Sequence, residues 1–191
     1  MDLQENRFQE NCITSKLIFD GKVLHVYVDD IRLPDGKTGI REYIKHIGAV
    51  AVLPLTDEGD VICVRQYRYA VEQTLIEIPA GKLDSKEEDH REAALRELCE
   101  ETGAHCTQLT HIGQYLASPA ILDEKIDLFL AEGLTFGNTD FDEDEFIEVV
   151  RIPLQDMVDM VMSGQLPDGK TQLAVLKAAE LLRRRKANDE K

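Results

Sequence analysis

The chain has 191 residues, a length that suits one domain, or one domain with a small extension, and that can bury a full core. Its formal charge of −15 at pH 7 argues against nucleic acid or an acidic membrane as a partner, because no extended basic stripe exists to release counterions. No run reaches the roughly 20 apolar residues that span a bilayer, and the N-terminus lacks the apolar core of a signal peptide. The four cysteines show no paired metal-ligand spacing. We therefore expect a cytoplasmic protein whose cysteines are reduced thiols.

Three short strands are predicted near the N-terminus, at residues 13–19, 23–32 and 39–46. The pairs Asp20-Gly21 and Asp35-Gly36 between them are strong turn signals. This meander predicts a small N-terminal sheet, or an arm that pairs with another subunit. We therefore expect residues 1–46 to form a β-meander and residues 47–191 to form the main domain.

The main domain begins with a nearly continuous apolar run at residues 49–55, which predicts a strand buried on both faces. A turn at residues 57–60 leads to a strand at residues 61–67 that we expect to be its partner. Further strands are predicted at residues 110–116, 126–131 and 146–152, and helices at residues 154–162 and 171–185. Strands on either side of a central helix, with more helices at the end, indicate an α/β fold with a mixed sheet between helical layers.

The central helix lies within residues 77–103, after an apolar run at residues 74–78 and a tight turn at residues 79–81. Ser85 followed by Glu88 is the pattern of a capping box, which predicts the helix N-cap at Ser85. Gly103 predicts the helix end, because glycine readily adopts the left-handed conformation found there. The predicted buried stripe consists of Ala94, Leu95, Leu98 and Thr102.

Three carboxylates crowd one side of this helix. Glu97, Glu100 and Glu101 stand at spacings of three and four residues, and two of them lie in the last turn, where the helix dipole disfavours anions. A solvated acidic face is the plain interpretation of one such pair. A hard divalent cation bound through oxygen would remove the repulsion, and Mg²⁺ is the usual choice.

These residues resemble a known family. Gly81, a glutamate in the first helical turn, and the run from Arg96 to Gly103 (RELCEETG) are similar to the Nudix box. The spacing departs from the family pattern by one inserted residue, so that the first glutamate is Glu88 counted back from Arg96 and Glu87 counted forward from Gly81. The capping box favours Glu88. The resemblance implies an α/β/α sandwich with a mixed sheet.

The resemblance also implies a metal site and catalytic carboxylates. Two or three Mg²⁺ ions, or Mn²⁺ in their place, would be held by Glu97, Glu100, Glu101 and the carbonyl of Ala80. Glu97, Glu100 and Glu101 are therefore expected to be catalytic as well as metal-binding. Arg96 is expected to orient the carboxylates rather than to contact the substrate.

Two arginines, Arg65 and Arg68, precede the helix in sequence. Strand alternation directs them to opposite faces of the strand, so that one of them should point at the site. A guanidinium group suits phosphate because its planar fork matches phosphate oxygens in pairs, although a surface arginine at a strand end is an equally plain interpretation of Arg65 or Arg68. Resemblance to the ADP-ribose pyrophosphatase branch favours Arg68 as the phosphate contact, and it suggests Arg41 and Glu42 for the nucleotide end.

Two later features follow the same branch. Pro119 lies 16 residues beyond Gly103, about where a proline marks that branch, and the resemblance implies that it binds substrate, although here Ala120 rather than glycine follows it. The acidic segment at residues 140–145 is expected to supply a glutamate that positions or deprotonates the attacking water. Glu143 is the first choice and Glu145 the second.

The resemblance implies Mg²⁺-dependent hydrolysis of the pyrophosphate bond of a nucleoside diphosphate sugar, with ADP-ribose cleaved to AMP and ribose 5-phosphate as the leading case. GDP-mannose or another sugar nucleotide is the alternative substrate. A second class is a domain that senses a nucleotide sugar without cleaving it, but such a domain would be expected to lack a box carboxylate or to carry a DNA-binding module. A homodimer formed through the N-terminal meander is expected from the same resemblance.

Overall fold

The computed structural model describes residues 7–139 and 146–189. Within them the N-terminal strands are β1 (Asn11–Asp20), β2 (His25–Arg32) and β3 (Thr38–Lys45). The strands that follow are β4 (Ala49–Pro54), β5 (Asp60–Arg68), β6 (Gln73–Glu77), β7 (Ala80–Lys82), β8 (Ala104–Leu116), β9 (Lys125–Phe136) and β10 (Ile147–Pro153). The helices are α1 (His90–Thr102), α2 (Leu154–Met162) and α3 (Gly169–Asp189), and a short 3-10 helix covers Tyr69–Val71. None of these helices is both long and apolar enough to span a lipid bilayer.

The described chain separates into two compact units. The first contains the chain up to His46 together with the later segment Ser118–Glu124. The second contains Ile47–Ala117 and the chain from Lys125 onward.

The first unit is built on an antiparallel sheet in the order β1-β2-β3, which confirms the predicted meander. The hairpin between β1 and β2 closes where the amide of Gly21 donates to the carbonyl of Leu24 at 2.9 Å. The segment Ser118–Glu124 joins this sheet, because the amide of Ile44 donates to the carbonyl of Ile121 at 2.8 Å. A segment from the middle of the chain therefore completes the N-terminal unit.

The second unit contains two sheets. One is four-stranded in the order β7-β4-β9-β8, with β4 and β9 parallel, and the other is antiparallel in the order β10-β5-β6. The prediction that β5 pairs with β4 is wrong, because only an isolated bridge between Leu55 and Val61 links the two strands. An apolar strand can satisfy its backbone with any neighbour, and here β4 pairs with β7 and β9 instead.

Helices cover both faces of the four-stranded sheet, as the alternation along β4 requires. All of β4 is buried. Val50 and Val52 belong to the core cluster that contains Leu98 of α1, whereas Ala51 and Leu53 belong to the cluster that contains Val175 of α3. The predicted α/β/α arrangement with a mixed sheet is therefore confirmed.

Helix α1 ends as predicted but begins later. Gly103 follows it with φ of 67°, which confirms the predicted end. The N-cap is Asp89 rather than Ser85, because the Asp89 carboxylate accepts the amides of Arg91 and Glu92 at 2.8 and 3.1 Å. The capping-box prediction is wrong because the carboxylate of Glu88 accepts the amide of Asp84 and the guanidinium group of Arg96 instead of the amide of Ser85.

Candidate active site

The acidic face of α1 is largely buried. Glu97 is 8% exposed and Glu101 is 5% exposed, while the side chain of Glu100 keeps 40% of its surface exposed. A solvated acidic face does not bury two carboxylates to this extent, because removing a charge from water is costly unless partners compensate. The prediction that these three glutamates share one side of the helix is confirmed, and their partners include Arg96 of the same helix and the backbone of β7.

One guanidinium group holds several of these carboxylates. Nη1 of Arg96 donates to Glu97 at 2.7 Å and to Glu100 at 3.1 Å, and Nη2 reaches Glu88 at 3.3 Å. Partial burial lowers the pKa of Arg96, but the charge and hydrogen bond of Glu97, followed by Glu100 and Asp84, outweigh it and hold the pKa above its ordinary value. We call Arg96, Glu88, Glu97 and Glu100 the Arg96 cluster. It contains one cation and three carboxylates.

Glu88 owes its place in this cluster to the loop before the helix. Its second carboxylate oxygen accepts the amide of Asp84 at 2.6 Å, and residues 83–89 form bends and turns rather than helix. The extra residue of the box is therefore accommodated in this loop. The contact with Arg96 agrees with the Glu88 register rather than with Glu87, although the reason is this side-chain contact and not a capping box.

The backbone before the helix fits closely against two of the carboxylates. The predicted tight turn at residues 79–81 is instead the start of β7, which pairs with β4. From this strand the amide of Ala80 donates to Oε2 of Glu101 at 3.1 Å. A Cβ built at Gly81 would overlap the carboxyl group of Glu97, so only glycine leaves room for that carboxylate.

A divalent cation would find oxygen ligands here, which are the ligands that such hard ions prefer. In the described part of the chain, no group of three or more His, Cys, Asp or Glu side chains is arranged to hold a metal ion as it stands. The carboxylates nevertheless fit such an ion in kind, since the space that glycine leaves at position 81 keeps the Glu97 carboxyl group against the backbone of β7. Glu97, Glu100, Glu101 and the carbonyl of Ala80 remain the predicted donors.

A second charged cluster lies at the end of β6. Glu77 is only 2% exposed, and its two oxygens accept Nε and Nη2 of Arg68 at 2.7 and 2.9 Å. The ammonium group of Lys170, at the start of α3, also pairs with Glu77 and lies 3.0 Å from Asp168. We call Glu77, Arg68, Lys170 and Asp168 the Glu77 cluster. It contains two cations and two carboxylates.

The two cations explain how Glu77 stays ionised inside the protein. Burial pushes the pKa of Glu77 upward, but the hydrogen bond from Arg68 and the charge of Lys170 outweigh it, so the pKa lies below its ordinary value. The pKa of Arg68 is raised, first by its hydrogen bonds to Glu77 and, against the effect of burial, also by the charges of Glu77, Glu101 and Asp168. The influence of Glu101 relates Arg68 electrostatically to the acidic face of α1.

The two arginines of β5 have different partners, as strand alternation predicts. Arg65 pairs with Glu148 of β10 at 2.6 Å, and both side chains are exposed. Arg68 pairs with the buried Glu77 and keeps 42% of its side chain exposed. Of the two, Arg68 is therefore the one directed toward the charged groups described above.

The remaining predicted site residues lie elsewhere. Arg41 and Glu42 are exposed residues of β3 in the first unit, and Arg41 pairs with Glu10. Pro119 also belongs to that unit, in an exposed turn where the amides of Ile121 and Leu122 donate to the carbonyl of Ser118. The roles assigned to Arg41, Glu42 and Pro119 stay predictions.

Glu143 and Glu145, the two candidates for the base, lie outside the described residues. Conversely, the structure brings Glu77 and Lys170 into a charged cluster, although reasoning from the sequence assigned no role to either residue. A glutamate at the end of an apolar run was the available signal for Glu77, since a carboxylate in such a place needs a cation. Lys170 carries no such signal, because 93 residues separate it from Glu77.

The fold and the Arg96 cluster define a class of protein. A family profile described as "NUDIX domain" matches residues 45–173, so the chain belongs to the Nudix family. A second profile, described as "Nucleoside diphosphate sugar hydrolase N-terminal domain", matches residues 10–44. The two profiles together match residues 10–173, which include most of both compact units.

Characterised relatives extend over most of the chain. The chain is 47% identical over 169 residues to the ADP-ribose pyrophosphatase of Bacillus subtilis (strain 168), a match that covers 87% of this chain and 91% of that protein. It is 42% identical over 170 residues to the methanol dehydrogenase activator of Bacillus methanolicus, covering 88% and 91%. A solved structure titled "Crystal structure of ADP compounds hydrolase" has a TM-score of 0.81 at 23% identity and covers 93% of this chain and 96% of that one, which supports the fold.

Proposed function

We propose that the chain hydrolyses the pyrophosphate bond of a nucleoside diphosphate sugar, and that ADP-ribose, cleaved to AMP and ribose 5-phosphate, is its main substrate. The carrying observation is the burial of Glu97 and Glu101 against Arg96 and the β7 backbone. The matches to both profiles and to an ADP-ribose pyrophosphatase support the substrate class.

Charge is the main task in such a reaction, because negative charge develops on oxygens of a diphosphate that is already negative. When bound, a divalent cation, with Mg²⁺ as our proposal and Mn²⁺ as a substitute, would supply positive charge at the phosphates and lower the pKa of the attacking water. Glu97, Glu100, Glu101 and the carbonyl of Ala80 would hold it. Arg96 keeps two of these carboxylates in place through its hydrogen bonds to Glu97 and Glu100.

Arg68 would bind the far phosphate. Its Nε and Nη2 donate to Glu77, so the guanidinium group is fixed before substrate arrives, and fixing a group in advance lowers the entropy lost on binding. We propose that Glu143, or Glu145 as the second choice, takes the proton from the attacking water. Arg41, Glu42 and Pro119 would contact the nucleotide.

The test is a panel of sugar nucleotides, including ADP-ribose and GDP-mannose, assayed with Mg²⁺ or Mn²⁺ for release of nucleoside monophosphate. We expect ADP-ribose to give the highest kcat/KM and no release when the cation is chelated. Preference for GDP-mannose would keep the reaction and change the substrate. Binding without cleavage of any compound would favour a sensor and overturn the proposal.

We also propose that two copies of the chain associate through the N-terminal sheet. Every residue of β1 is exposed, including Ile13, Leu17, Ile18 and Phe19. Exposed apolar side chains grouped on one strand are typical of a protein–protein interface. Sedimentation equilibrium of the purified chain should give twice the mass of one copy, and a monomer at all concentrations would exclude the dimer. We propose that the protein is located in the cytoplasm. Its four cysteines are free thiols, which agrees with the reducing conditions there.

A further inference from the structure

The start of α3 contacts the segment that carries the site. Asp168 caps the helix by accepting the amide of Thr171 at 3.0 Å. Oγ1 of Thr171 in turn accepts the amide of Ile78 at 3.0 Å, and Lys170 pairs with Glu77 beside it. Two consecutive residues of the helix therefore hold two consecutive residues at the end of β6.

Lys170 is almost as inaccessible as its partner. Its side chain is 11% exposed, that of Glu77 is 2% exposed and that of Asp168 is 17% exposed. An ammonium group gives up most of its hydration in such a place, and the loss is offset only when close carboxylates replace the water. The carboxylates of Glu77 and Asp168 both contact the ammonium group of Lys170, so the position of that group is closely defined.

The charge balance gives Lys170 a specific effect on Arg68. If Glu77 had Arg68 as its only cation, one full negative charge would neutralise the guanidinium group. Lys170 shares that negative charge and also holds one of the two oxygens on which Arg68 depends. With Lys170 in place, the two cations balance Glu77 and Asp168, so Arg68 keeps a fixed orientation and the cluster has no excess of negative charge.

We infer that Lys170 is a positioning residue, which acts through Glu77 to orient Arg68 and to preserve its charge for the diphosphate of the substrate. This inference rests on the proposed function, because it assumes that Arg68 contacts a phosphate. Lys170 itself contacts carboxylates and no substrate.

The test compares dissociation constants for ADP-ribose, measured by calorimetry with the cation chelated, and KM and kcat for hydrolysis. Lys170→Met should weaken binding and raise KM about tenfold or more, with a smaller effect on kcat. Lys170→Arg should restore most of the affinity because it keeps the charge. In an Arg68→Met background, Lys170→Met should change the dissociation constant less than about twofold, because the group through which it acts is gone.

Lys177→Met is the matched control, since this lysine lies on the same helix with its ammonium group over Gly113 rather than at Glu77. It should leave binding unchanged. If Lys170→Met does not fold, as judged by circular dichroism, Lys170→Gln replaces it, because glutamine can still donate to Glu77 without the charge. The same increase in the dissociation constant and in KM should then appear.

Equal effects of Lys170→Met with and without Arg68 would overturn the inference and indicate a purely structural ion pair. A folded Lys170 variant with unchanged affinity would do the same. If the wild-type chain binds ADP-ribose without cleaving it, the proposed function fails, while the comparison of dissociation constants still decides the role of Lys170. A wild-type chain that binds no sugar nucleotide overturns both.

Discussion

The two charged clusters of the second unit differ in their balance of charge. In the Arg96 cluster one guanidinium group serves three carboxylates, whereas in the Glu77 cluster two cations meet two carboxylates, Glu77 and Asp168. Residues 77–81 connect them, with the amide of Ala80 on Glu101 at one end and the amide of Ile78 on Thr171 at the other.

This difference indicates how one short segment can serve opposite charges. A cluster with more carboxylates than cations favours a bound cation, whereas a cluster in which the two kinds of charge balance lets its partly exposed guanidinium group approach an anion without an excess of negative charge beside it. A protein with a formal charge of −15 can therefore handle a diphosphate, because the relevant charge is local. The following substitutions test this comparison at the acidic face of α1 and its surroundings, and the last one lies outside both clusters.

The largest effect is expected from Glu101→Gln. The new side chain can still accept the amide of Ala80 through its carbonyl oxygen, so the fold should persist, but the negative charge offered to a cation is lost. We expect kcat to fall about a thousandfold with an unchanged circular dichroism spectrum. Glu92→Gln, in the exposed first turn of the same helix, is the control and should stay within about twofold of wild type. Full activity of Glu101→Gln would contradict the assignment.

Gly81→Ala should have the next largest effect. The added Cβ overlaps the carboxyl group of Glu97, so that side chain must move, and a displacement of about 1 Å can cost about a hundredfold in rate. Gly39→Ala is a suitable control, since its Cβ would meet nothing closer than 3.4 Å. Steady-state kinetics of both variants decide the matter, and equal activities would mean that Glu97 need not lie against β7.

Arg96→Met should reduce both activity and stability. It removes the cation that the Glu97 and Glu100 carboxylates share, so we expect kcat/KM to fall about tenfold or more. Because the guanidinium group is 28% exposed, the cost in the free energy of unfolding should be only about 1–2 kcal/mol near neutral pH. Added divalent cation should recover part of this loss. Urea unfolding with and without the cation tests this, and a loss that the cation does not reduce would argue against a site at these carboxylates.

The smallest effect concerns a carboxylate outside both clusters. Asp127 is 8% exposed and accepts His90 at 2.6 Å and His111 at 2.7 Å. Burial raises its pKa, but hydrogen bonds from His111, His90 and Gln114 outweigh it and hold the pKa below its ordinary value. A lowered pKa contributes stability that is present above the unfolded value near 3.9 and is lost as pH falls through the folded value.

Asp127→Asn should therefore cost about 1 kcal/mol of unfolding free energy near pH 6 without changing kcat. The difference from wild type should shrink as the pH falls below about 4. Urea unfolding over this pH range provides the measurement. A difference that grows toward acid pH would show that the ionised carboxylate is not what stabilises this site.

The parts of the fold that could be predicted depend on local pattern. The continuous apolar run of β4, the glycine after α1 and the spacing of Glu97, Glu100 and Glu101 are properties of neighbouring residues. The start of α1 could not be predicted in this way, because the contacts of Glu88 with Arg96 and the Asp84 amide leave Asp89 to cap the helix. A capping pattern in neighbouring residues does not predict the helix start when one of its side chains makes other contacts in the folded chain.

The site was predictable to the same extent. Resemblance to a motif predicts the site role of the α1 carboxylates, which stays a prediction, and strand alternation predicted the different partners of Arg65 and Arg68. The support of Arg68 could not be predicted, because Glu77 and Lys170 are brought together by α3 packing under the sheet. The pairing of β5 with β6 and β10 was missed for a similar reason, since an apolar strand does not specify its neighbour.

The proposed cation site can be tested most directly by titrating Mn²⁺ into the chain and following free Mn²⁺ by electron paramagnetic resonance. We expect the wild-type chain to bind Mn²⁺, more tightly when ADP-ribose is present, and we expect a variant with Glu97, Glu100 and Glu101 all changed to glutamine to lose that binding while remaining folded. Unchanged binding of Mn²⁺ by the folded triple variant would contradict the claim that these carboxylates hold the cation.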